Sequence, residues 1–537
     1  MDRRNVVLTG FMGTGKSTVG RLLADRLGRP FVDVDTVIES RAGISIAELF
    51  RTRGEAAFRV LEAAACRELS EKHGLVIATG GGAMLDPGNR DLLSETGTVV
   101  CLTCEPDELM RRLEGITDRP LLDEVSEDRR SRIEALLNRR ASTYEALSHH
   151  VDTTGLQPDE AAEAVAQIIR SVARRLVVRH THGAYDVQVA LDELDALGAS
   201  MRVAGLNDAT AAFLVTNSVV DDLYGDRARR SLREAGFRPV TCVVPDGERH
   251  KRLATIESLY DRLVDAGIDR GSVVVGLGGG VTTDMAGFAA ATILRGLRLV
   301  QVPTSLLAMV DASVGGKTGV NLPSGKNLVG AFWQPSLVVI DPRVLQTLPE
   351  AEVRSGVAEA IKHGVLGDET LFAELREHAS NIDSWWSEAA VERISRAVQV
   401  KIGVVEVDPL EAGQRAILNL GHTAGHAIER ETGYTIRHGE AVSIGLVIAA
   451  RLAQALGRAE PSLVGTLEEA LSRWGLPIRC PDIRADRLID AMSQDKKRTA
   501  DGLLWVLPIA IGQVERSHDV PIDLVRRVLI DVGARSA

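Results

Sequence analysis

The stretch Asn419–Glu440, NLGHTAGHAIERETGYTIRHGE, holds three of the chain's 12 histidines, close enough together to share one site. His422 and His426 stand four apart in a run of helical period, so both imidazoles project from one face. His438 follows in a short HGE segment that opens another apolar helix. Upstream, SGVAEAIKHG puts Glu359, Lys362 and His363 on one helical face. Neutral imidazoles plus one carboxylate are the donors a catalytic Zn²⁺ accepts, three protein ligands with one position open. A single helix histidine is more often a solvated surface group; three beside a Glu–Lys helix argue for a metal. Spacing leaves open which two histidines bind, the His422/His426 pair having the i,i+4 separation of two-histidine zinc motifs.

A second chemical set lies near the other end of the chain. Asn5–Thr9 is an apolar run leading into Gly10-Phe-Met-Gly13-Thr14-Gly15-Lys16-Ser17-Thr18, and a helical pattern follows to Leu27. This is a complete GxxxxGK[ST] in strand–loop–helix context. Its glycines let backbone N–H groups curl round phosphate oxygens, and the helix N-terminus adds a favourable dipole. Lys16 can reach the terminal phosphates, and the Ser17 hydroxyl can ligate Mg²⁺. The next strand, 30–34, ends in Asp33-Val34-Asp35, two carboxylates expected on one side of a strand end. One can serve a Mg²⁺ shell and the other a substrate hydroxyl. The plainer reading is a helix cap, with Asp35 ahead of the helical run TVIES. Arg59 in a helix, glycines 80–82 after a buried strand, Arg119 in TDRPLL and Arg140 in helical RRASTY add anion-binding groups.

A chain of 537 residues is too long for one core, and two or three domains are expected. At 45% hydrophobic and 26% charged it has the texture of a soluble globular protein. Its net charge of −11 argues against a general nucleic-acid binder, so basic residues beside glycines mark local anion sites. No apolar run reaches the length of a membrane span. MDRRNVVLTG enters a strand directly, without a signal-peptide pattern, and five cysteines suit a reducing compartment; a cytoplasmic location is expected. Cys101 and Cys104 form a CxxC, but no further ligands lie nearby, and they read as strand-end residues.

The elements that must position these groups follow from the intervening pattern. A helix over 160–175 closes the first unit, its tail SVARRLVVRHTHG serving as a short linker, and from Tyr185 a second αβ unit begins. Strands are expected at 212–216, 240–244, 272–276 and 299–303. The third runs into Gly278-Gly279-Gly280-Val281-Thr282-Thr283-Asp284. Glycines between a buried strand and a helix suit a diphosphate, although Val281 breaks GxGxxG and tight packing would need them too. Arg295, Lys317 after two glycines and Lys326 after Gly325 are anion-binding equipment. After Pro342 amphipathic helices take over until about Trp474, and two further apolar runs, 503–511 and one near the C-terminus, close the chain. The expected fold class is therefore α/β. Residues 1–172 should carry a parallel sheet with helices on both faces. Residues 173–537 should divide into an α/β half, about 176–341, and a mainly helical metal-bearing half, 342–537, with a cleft between.

Residues 1–172 resemble shikimate kinase through GFMGTGKSTVG, FVDVD, GEAAFR, TGGGA, DRPLL and the RRASTY arginine. The resemblance implies ATP on Gly13, Thr14, Gly15, Lys16, Ser17, Thr18 and Arg119, with Mg²⁺ at Ser17. It implies shikimate held by Asp35, Arg59, Gly81 and Arg140, with Lys16 and Arg119 stabilising charge and Asp35 orienting the hydroxyl. Gluconate-type and adenylate-type kinases are the nearest alternatives; a GTPase would carry an NKxD run, which is absent.

From about 176 to 537 the chain resembles 3-dehydroquinate synthase, through GLGGGVTTDMAGFAAAT, RGLRLVQVPTSLLAMVDASVGGKTGVN, GKNLVGAFWQP, GVAEAIKHG, NLGHTAGHAIE and RHGEAV. This implies Zn²⁺ or Co²⁺ on Glu359, His422 and His438, leaving His426 as a substrate-contacting or proton-relay residue. It implies NAD⁺ on Asp246, Gly247, Glu248, Arg249, His250, Lys251, Gly280, Val281, Thr282, Thr283, Asp284, Thr304, Ser305, Lys317, Lys326, Val344, Leu345, Gln346 and Thr347. Substrate contacts would be Arg295, Asp311, Lys317, Asn327, Lys362, Lys401, Arg415, Asn419 and Lys496 or Lys497, with Arg295, Lys317, Lys362 and His426 catalytic. The loop Thr216-Asn217-Ser218 departs from the family, which often has an Asp and a later Asn there; this leaves the adenosine contacts open.

The expected function is bifunctional: ATP-dependent phosphorylation of shikimate, and NAD- and metal-dependent conversion of 3-deoxy-D-arabino-heptulosonate 7-phosphate to 3-dehydroquinate with release of phosphate. Alternatives for the second unit are a related sugar-phosphate cyclase or a metal-dependent polyol dehydrogenase. The latter would leave Arg295, Lys317, Lys362 and Arg415 without a phosphate. A catalytically silent regulatory module is the alternative of another class. Partners are expected to be small molecules, with no nucleic acid and no membrane; the resemblance allows a homodimer through the second unit.

Overall fold

The computed structural model describes residues 5–114, 129–147, 149–171, 174–411, 413–493, 498–499 and 502–536. Arg119, Lys496 and Lys497 lie outside the described residues. The chain forms two compact units, Met1–Val172 and Ala173–Ala537.

In the first unit, strands β1 (Asn5–Gly10), β2 (Phe31–Asp33), β3 (Val76–Ala78), β4 (Gly97–Thr103) and β5 (His149–Asp152) form one sheet. All pairs are parallel and the order is β2-β3-β1-β4-β5. Central β1 is buried along its whole length, which is why it reads as an unbroken apolar run. Its residues alternate between two cores. Val6 and Leu8 pack with Val19 and Leu23 of helix Lys16–Leu27 and with Val165 of helix Pro158–Ser171. Val7 packs on the other face with Leu49 and Phe58 of helix Ile46–Ser70. Helices therefore cover both faces. Cys101 lies inside β4 in the same core, and burial pushes its thiol up to about 11, as suits a packing residue.

In the second unit the sheet begins earlier than the sequence pattern suggested. The tail expected to finish a helix is instead β6 (Arg174–His180), antiparallel to β7 (Gly183–Val189). Its two-residue alternation is masked by arginines, exposed at Arg175 and Arg179 and part-buried at Arg174, which pairs with Glu392. The other strands are β8 (Ala211–Asn217), β9 (Arg238–Val244), β10 (Val273–Gly278), β11 (Arg298–Pro303), the hairpin β12 (Lys317–Leu322) with β13 (Gly325–Phe332), and β14 (Leu337–Ile340). The seven-stranded order is β6-β7-β14-β11-β10-β8-β9, parallel from β7 onward.

One face of this sheet packs against helices Leu253–Asp265 and Gly280–Thr292. The other face, with Leu214, Val275 and Val300, shares a core with Val357 and Ile361 of helix Glu350–Gly367 and with Val442 of helix His438–Ala455. The helical half is thus fastened to the sheet through one continuous interior. The late apolar runs become an antiparallel hairpin, Trp505–Ala510 with Gln513–Ser517, and the helix Ile522–Asp531. Among the described residues no helix is long and apolar enough to cross a membrane.

Candidate active sites

The phosphate loop of the first unit lies at the C-terminal end of β1. Gly13 and Gly15 have φ of 84° and 92°, values a side chain would resist. Gly15 is the N-cap of helix Lys16–Leu27 and no side chain caps it, so the helix N-terminus is available to an anion. The Lys16 ammonium donates to the carbonyls of Gly10 and Phe11, both at 2.9 Å, which keeps it over the loop. The Ser17 hydroxyl donates to Asp33 Oδ2 at 2.6 Å. The donor set for a nucleotide–Mg²⁺ complex is present: loop amides, one ammonium, one hydroxyl and one carboxylate.

Asp33 and Asp35 do not share one side of a strand. Asp33 ends β2 and is itself the helix cap, accepting from the Asp35 N–H at 3.0 Å, because helix Val34–Ala42 starts two residues sooner than expected. A helical step turns Asp35 away, towards the glycine triplet. Each of those glycines lies against a side chain. A Cβ on Gly80 would stand 2.8 Å from Glu62 Oε1 and 3.1 Å from Asp35 Oδ1. One on Gly81 would stand 3.1 Å from an Arg140 nitrogen, and one on Gly82 2.7 Å from Arg59. The triplet is glycine so that Asp35, Arg59 and Arg140 can gather round it. Helix Ile46–Ser70 breaks at Gly54, where φ is 77°, before delivering Arg59. Glu62, missed in the sequence, is 1% exposed and pairs with Arg59 at 2.6 Å. Burial, opposed by Arg59, raises its pKa.

In the second unit β8 and β10 are neighbours, and the chain leaves them in opposite directions across the sheet. The crevice beyond their C-terminal ends is where open α/β sheets bind ligands. Gly279 caps helix Gly280–Thr292 without a side-chain bond, so its N-terminus too can receive an anion. Thr304 donates its N–H to Gly278, and a Cβ on Gly279 would meet the Ser305 hydroxyl at 3.4 Å. Asn217, in the loop that departs from the family pattern, caps a short helix and donates to Asp246 Oδ1 at 3.0 Å. Buried Lys251 reaches Asp284 at 2.5 Å and Asn327 at 2.6 Å, and Glu248 accepts from Asn321. Val344 and Thr347 are held by the Tyr224 hydroxyl in the turn Pro342–Thr347. Ser305 and the Lys251–Asp284 pair lie at the first turn of helix Gly280–Thr292, whose uncapped N-terminus beside glycines suits a diphosphate.

Three helices bring the metal-type donors together. Glu359 lies on helix Glu350–Gly367, His422 on helix His422–Glu431 and His438 on helix His438–Ala455. The helices can approach because glycines stand at the crossings. A Cβ on Gly439 would overlap the Ser355 carbonyl, and one on Gly445 would overlap the Gly421 carbonyl. Glu359 is 0% exposed, and Oε1 faces His438 Nε2 at 3.3 Å and His422 Nε2 at 3.6 Å. Neither Glu359 oxygen takes part in a well-formed hydrogen bond. One buried carboxylate facing two ring nitrogens, all three ligand atoms within 4.8 Å, fits a divalent metal. The His422 Nδ1 lies 3.1 Å from the Leu420 carbonyl, which orients the other nitrogen towards Glu359. His426 belongs to a neighbouring set with Glu429 and His438. Sequence spacing did not reveal Glu429, which lies 3.5 Å from His438 Nδ1 and 3.2 Å from Lys326.

Charge at this cluster is unevenly distributed. Burial and the Lys362 ammonium hold His422 well below its ordinary value. Against burial, Glu359 and Glu429 push His438 up to about 9. Lys362 lies 2.5 Å from Glu359 Oε2, in a nearly sealed position. Beside it, Lys401 pairs with Asp311 at 2.7 Å, and burial brings the lysine down to about 8. Burial also brings neighbouring His363 down to about 3. Arg415, 1% exposed, donates to the carbonyls of Pro409 and Gly315, and Lys317 pairs with Glu411 at 2.7 Å. Glu411 has a φ of 59° and no motif announced it. Asn419 ends the turn Gln414–Asn419 just before His422. Arg295 stands apart: it is exposed, in a turn with φ of 50° at Leu294 and 67° at Arg295, and no hydrogen bond or ion pair among the described residues ties it to the cluster.

The shikimate kinase family model matches residues 12–173. The 3-dehydroquinate synthase N-terminal and C-terminal models match residues 241–355 and 356–498. The 3-dehydroquinate synthase of Nostoc punctiforme is 47% identical over 350 residues, 64% of this chain and 96% of that protein. That of Geobacter sp. (strain M21) is 44% identical over 352 residues, 65% of this chain and 97% of its own length. The solved structure of 2-epi-5-epi-valiolone synthase from Streptomyces hygroscopicus, with NAD⁺ and Zn²⁺ bound, is 28% identical with a TM-score of 0.61, covering 67% of this chain and 99% of its own. Through its second unit the chain belongs to the 3-dehydroquinate synthase family, and with a shikimate kinase domain ahead of it this is a bifunctional shikimate-pathway enzyme, kinase and lyase in one polypeptide.

Proposed function

We propose that residues 1–172 phosphorylate shikimate with Mg·ATP, and that residues 173–537 convert 3-deoxy-D-arabino-heptulosonate 7-phosphate to 3-dehydroquinate with NAD⁺ and Zn²⁺ or Co²⁺. In the kinase unit bound Mg·ATP supplies the phosphoryl group. Loop amides and Lys16 hold the phosphates, with Arg119 added from outside the described residues. Arg59 and Arg140 clamp the substrate carboxylate and Asp35 orients the hydroxyl, so catalysis is mostly positioning plus charge stabilisation.

In the synthase unit NAD⁺ supplies a recycled hydride acceptor, and the metal on Glu359, His422 and His438 supplies Lewis acidity towards a substrate hydroxyl. The protein's own part is electrostatic. Lys317, Lys362, Lys401 and Arg415 are four cations for a substrate carrying a carboxylate and a phosphate. Asp311 and Glu411 hold Lys401 and Lys317 in place, and His426 can carry a proton. The observation that supports this reading best is the convergence of Glu359, His422 and His438 beside Lys362. The greater identity to 3-dehydroquinate synthases than to the valiolone synthase favours it over a related cyclase. The test is phosphate release from 3-deoxy-D-arabino-heptulosonate 7-phosphate by purified chain with NAD⁺ and Zn²⁺, alongside ADP formation with shikimate. Absence of either reaction in folded, metal-loaded protein refutes the corresponding half.

A further inference from the structure

Arg140 and Tyr144 stand four apart on helix Arg129–Glu145 and so project from the same face. Both reach the carbonyl of Gly81: Arg140 donates to it at 2.8 Å and the Tyr144 hydroxyl at 2.5 Å. A carbonyl oxygen has two lone pairs, and these two donors can occupy both. Tyr144 is 7% exposed and Arg140 4%, with the guanidinium centred 5.3 Å from the Phe11 ring. The glycine itself is tightly placed, since a Cβ there would stand 3.3 Å from the Gly10 carbonyl and 3.5 Å from the Met12 nitrogen, both in the phosphate loop. The Gly81 peptide thus joins the phosphate loop to the arginine helix, and the tyrosine hydroxyl is one of its two fastenings.

We infer that Tyr144 is a positioning residue of the kinase site: its hydroxyl, sharing the Gly81 carbonyl with Arg140, sets the peptide plane of Gly81 and the direction of the Arg140 guanidinium. The inference rests on the proposal that this unit binds shikimate through Gly81 and Arg140. Without the hydroxyl, half the acceptor capacity of a buried carbonyl goes unfilled and Arg140 loses the partner that fixes its line of approach. The damage should fall on the substrate carrying the carboxylate and not on the nucleotide.

The experiment is steady-state kinetics of Tyr144→Phe in the full chain, with the 3-dehydroquinate synthase rate of the same preparation as reference for active protein. The expected result is a KM for shikimate raised about three- to tenfold, as loss of one hydrogen bond implies. The KM for ATP, kcat within about twofold and the melting temperature should hold. In an Arg140→Lys background the same substitution should have a smaller effect, because the geometry it protects is already lost. An unchanged KM for shikimate overturns the inference and leaves the kinase reading standing. So does a variant in which both KM values and the melting temperature move together, since that marks a merely structural tyrosine. Wild-type protein that does not phosphorylate shikimate overturns both.

Discussion

At the scale of single residues, neighbours in space and neighbours in sequence part company at the histidines. The i,i+4 pair His422/His426 has the spacing of a metal motif, yet Glu359 Oε1 faces His422 and His438. His426 shares a different donor set, with Glu429 and His438, its ring centre 5.2 Å from that of His422 and 6.1 Å from that of His438. We therefore expect His438→Ala to lose bound zinc, read by elemental analysis after dialysis, and His426→Ala to keep it while losing turnover. Metal retained in the first variant and missing from the second would reverse the assignment. Lys16→Ala should lower shikimate phosphorylation by roughly 10²–10³, the usual effect of removing one charge-stabilising contact, and leave phosphate release by the synthase unchanged. A fall in both rates in folded protein would contradict two separate sites.

At the scale of elements, the helices around Glu359 are brought together by glycines. Gly445→Ala would drive a methyl into the Gly421 carbonyl, so the helices carrying His422 and His438 must separate. Such overpacking should cost about 1–3 kcal/mol in urea unfolding and lower zinc content. Gly465→Ala is the contrast: nothing lies within 4 Å of its would-be Cβ, and it sits inside helix Pro461–Arg473. It should leave zinc content unchanged and raise stability by up to about 1 kcal/mol. Equal destabilisation by the two would show that close helix approach is not what Gly445 provides. The same contrast explains what could be read in advance. Helical period and the strand–glycine–helix runs announced the two phosphate-type loops, because those signals are local. Close approach is not local, so GHTAGHAIE showed where the histidines lay but not why a glycine stood before each of them. Strand β6 was hidden because arginines occupy two of its exposed positions, and Asp33 rather than Asp35 became the cap because the helix began two residues early. Glu62 and Glu411 lie outside the motifs, and Glu429 ends NLGHTAGHAIE without its spacing giving it a role; each is recognisable by the cation or imidazole the fold sets beside it.

At the scale of the whole molecule, each unit has its own sheet, parallel apart from the β6–β7 pair, its own uncapped helix N-terminus beside glycines and its own buried core. Each is long enough to fold alone. None of the proposed site residues of one reaction falls in the other unit. In the proposed reactions the product of one unit, 3-dehydroquinate, is not the substrate of the other, shikimate, so direct transfer of product gives no reason for the fusion. The central claim is that two complete enzymes share one polypeptide, and the most direct measurement is to express residues 1–172 and 173–537 as separate chains and assay both reactions. The account predicts two folded pieces, each within about tenfold of its rate in the intact protein, a barrier change of about 1.4 kcal/mol. A piece that is folded by circular dichroism yet inactive until the other is added would contradict it, because the two units would then share a site or an obligatory interface.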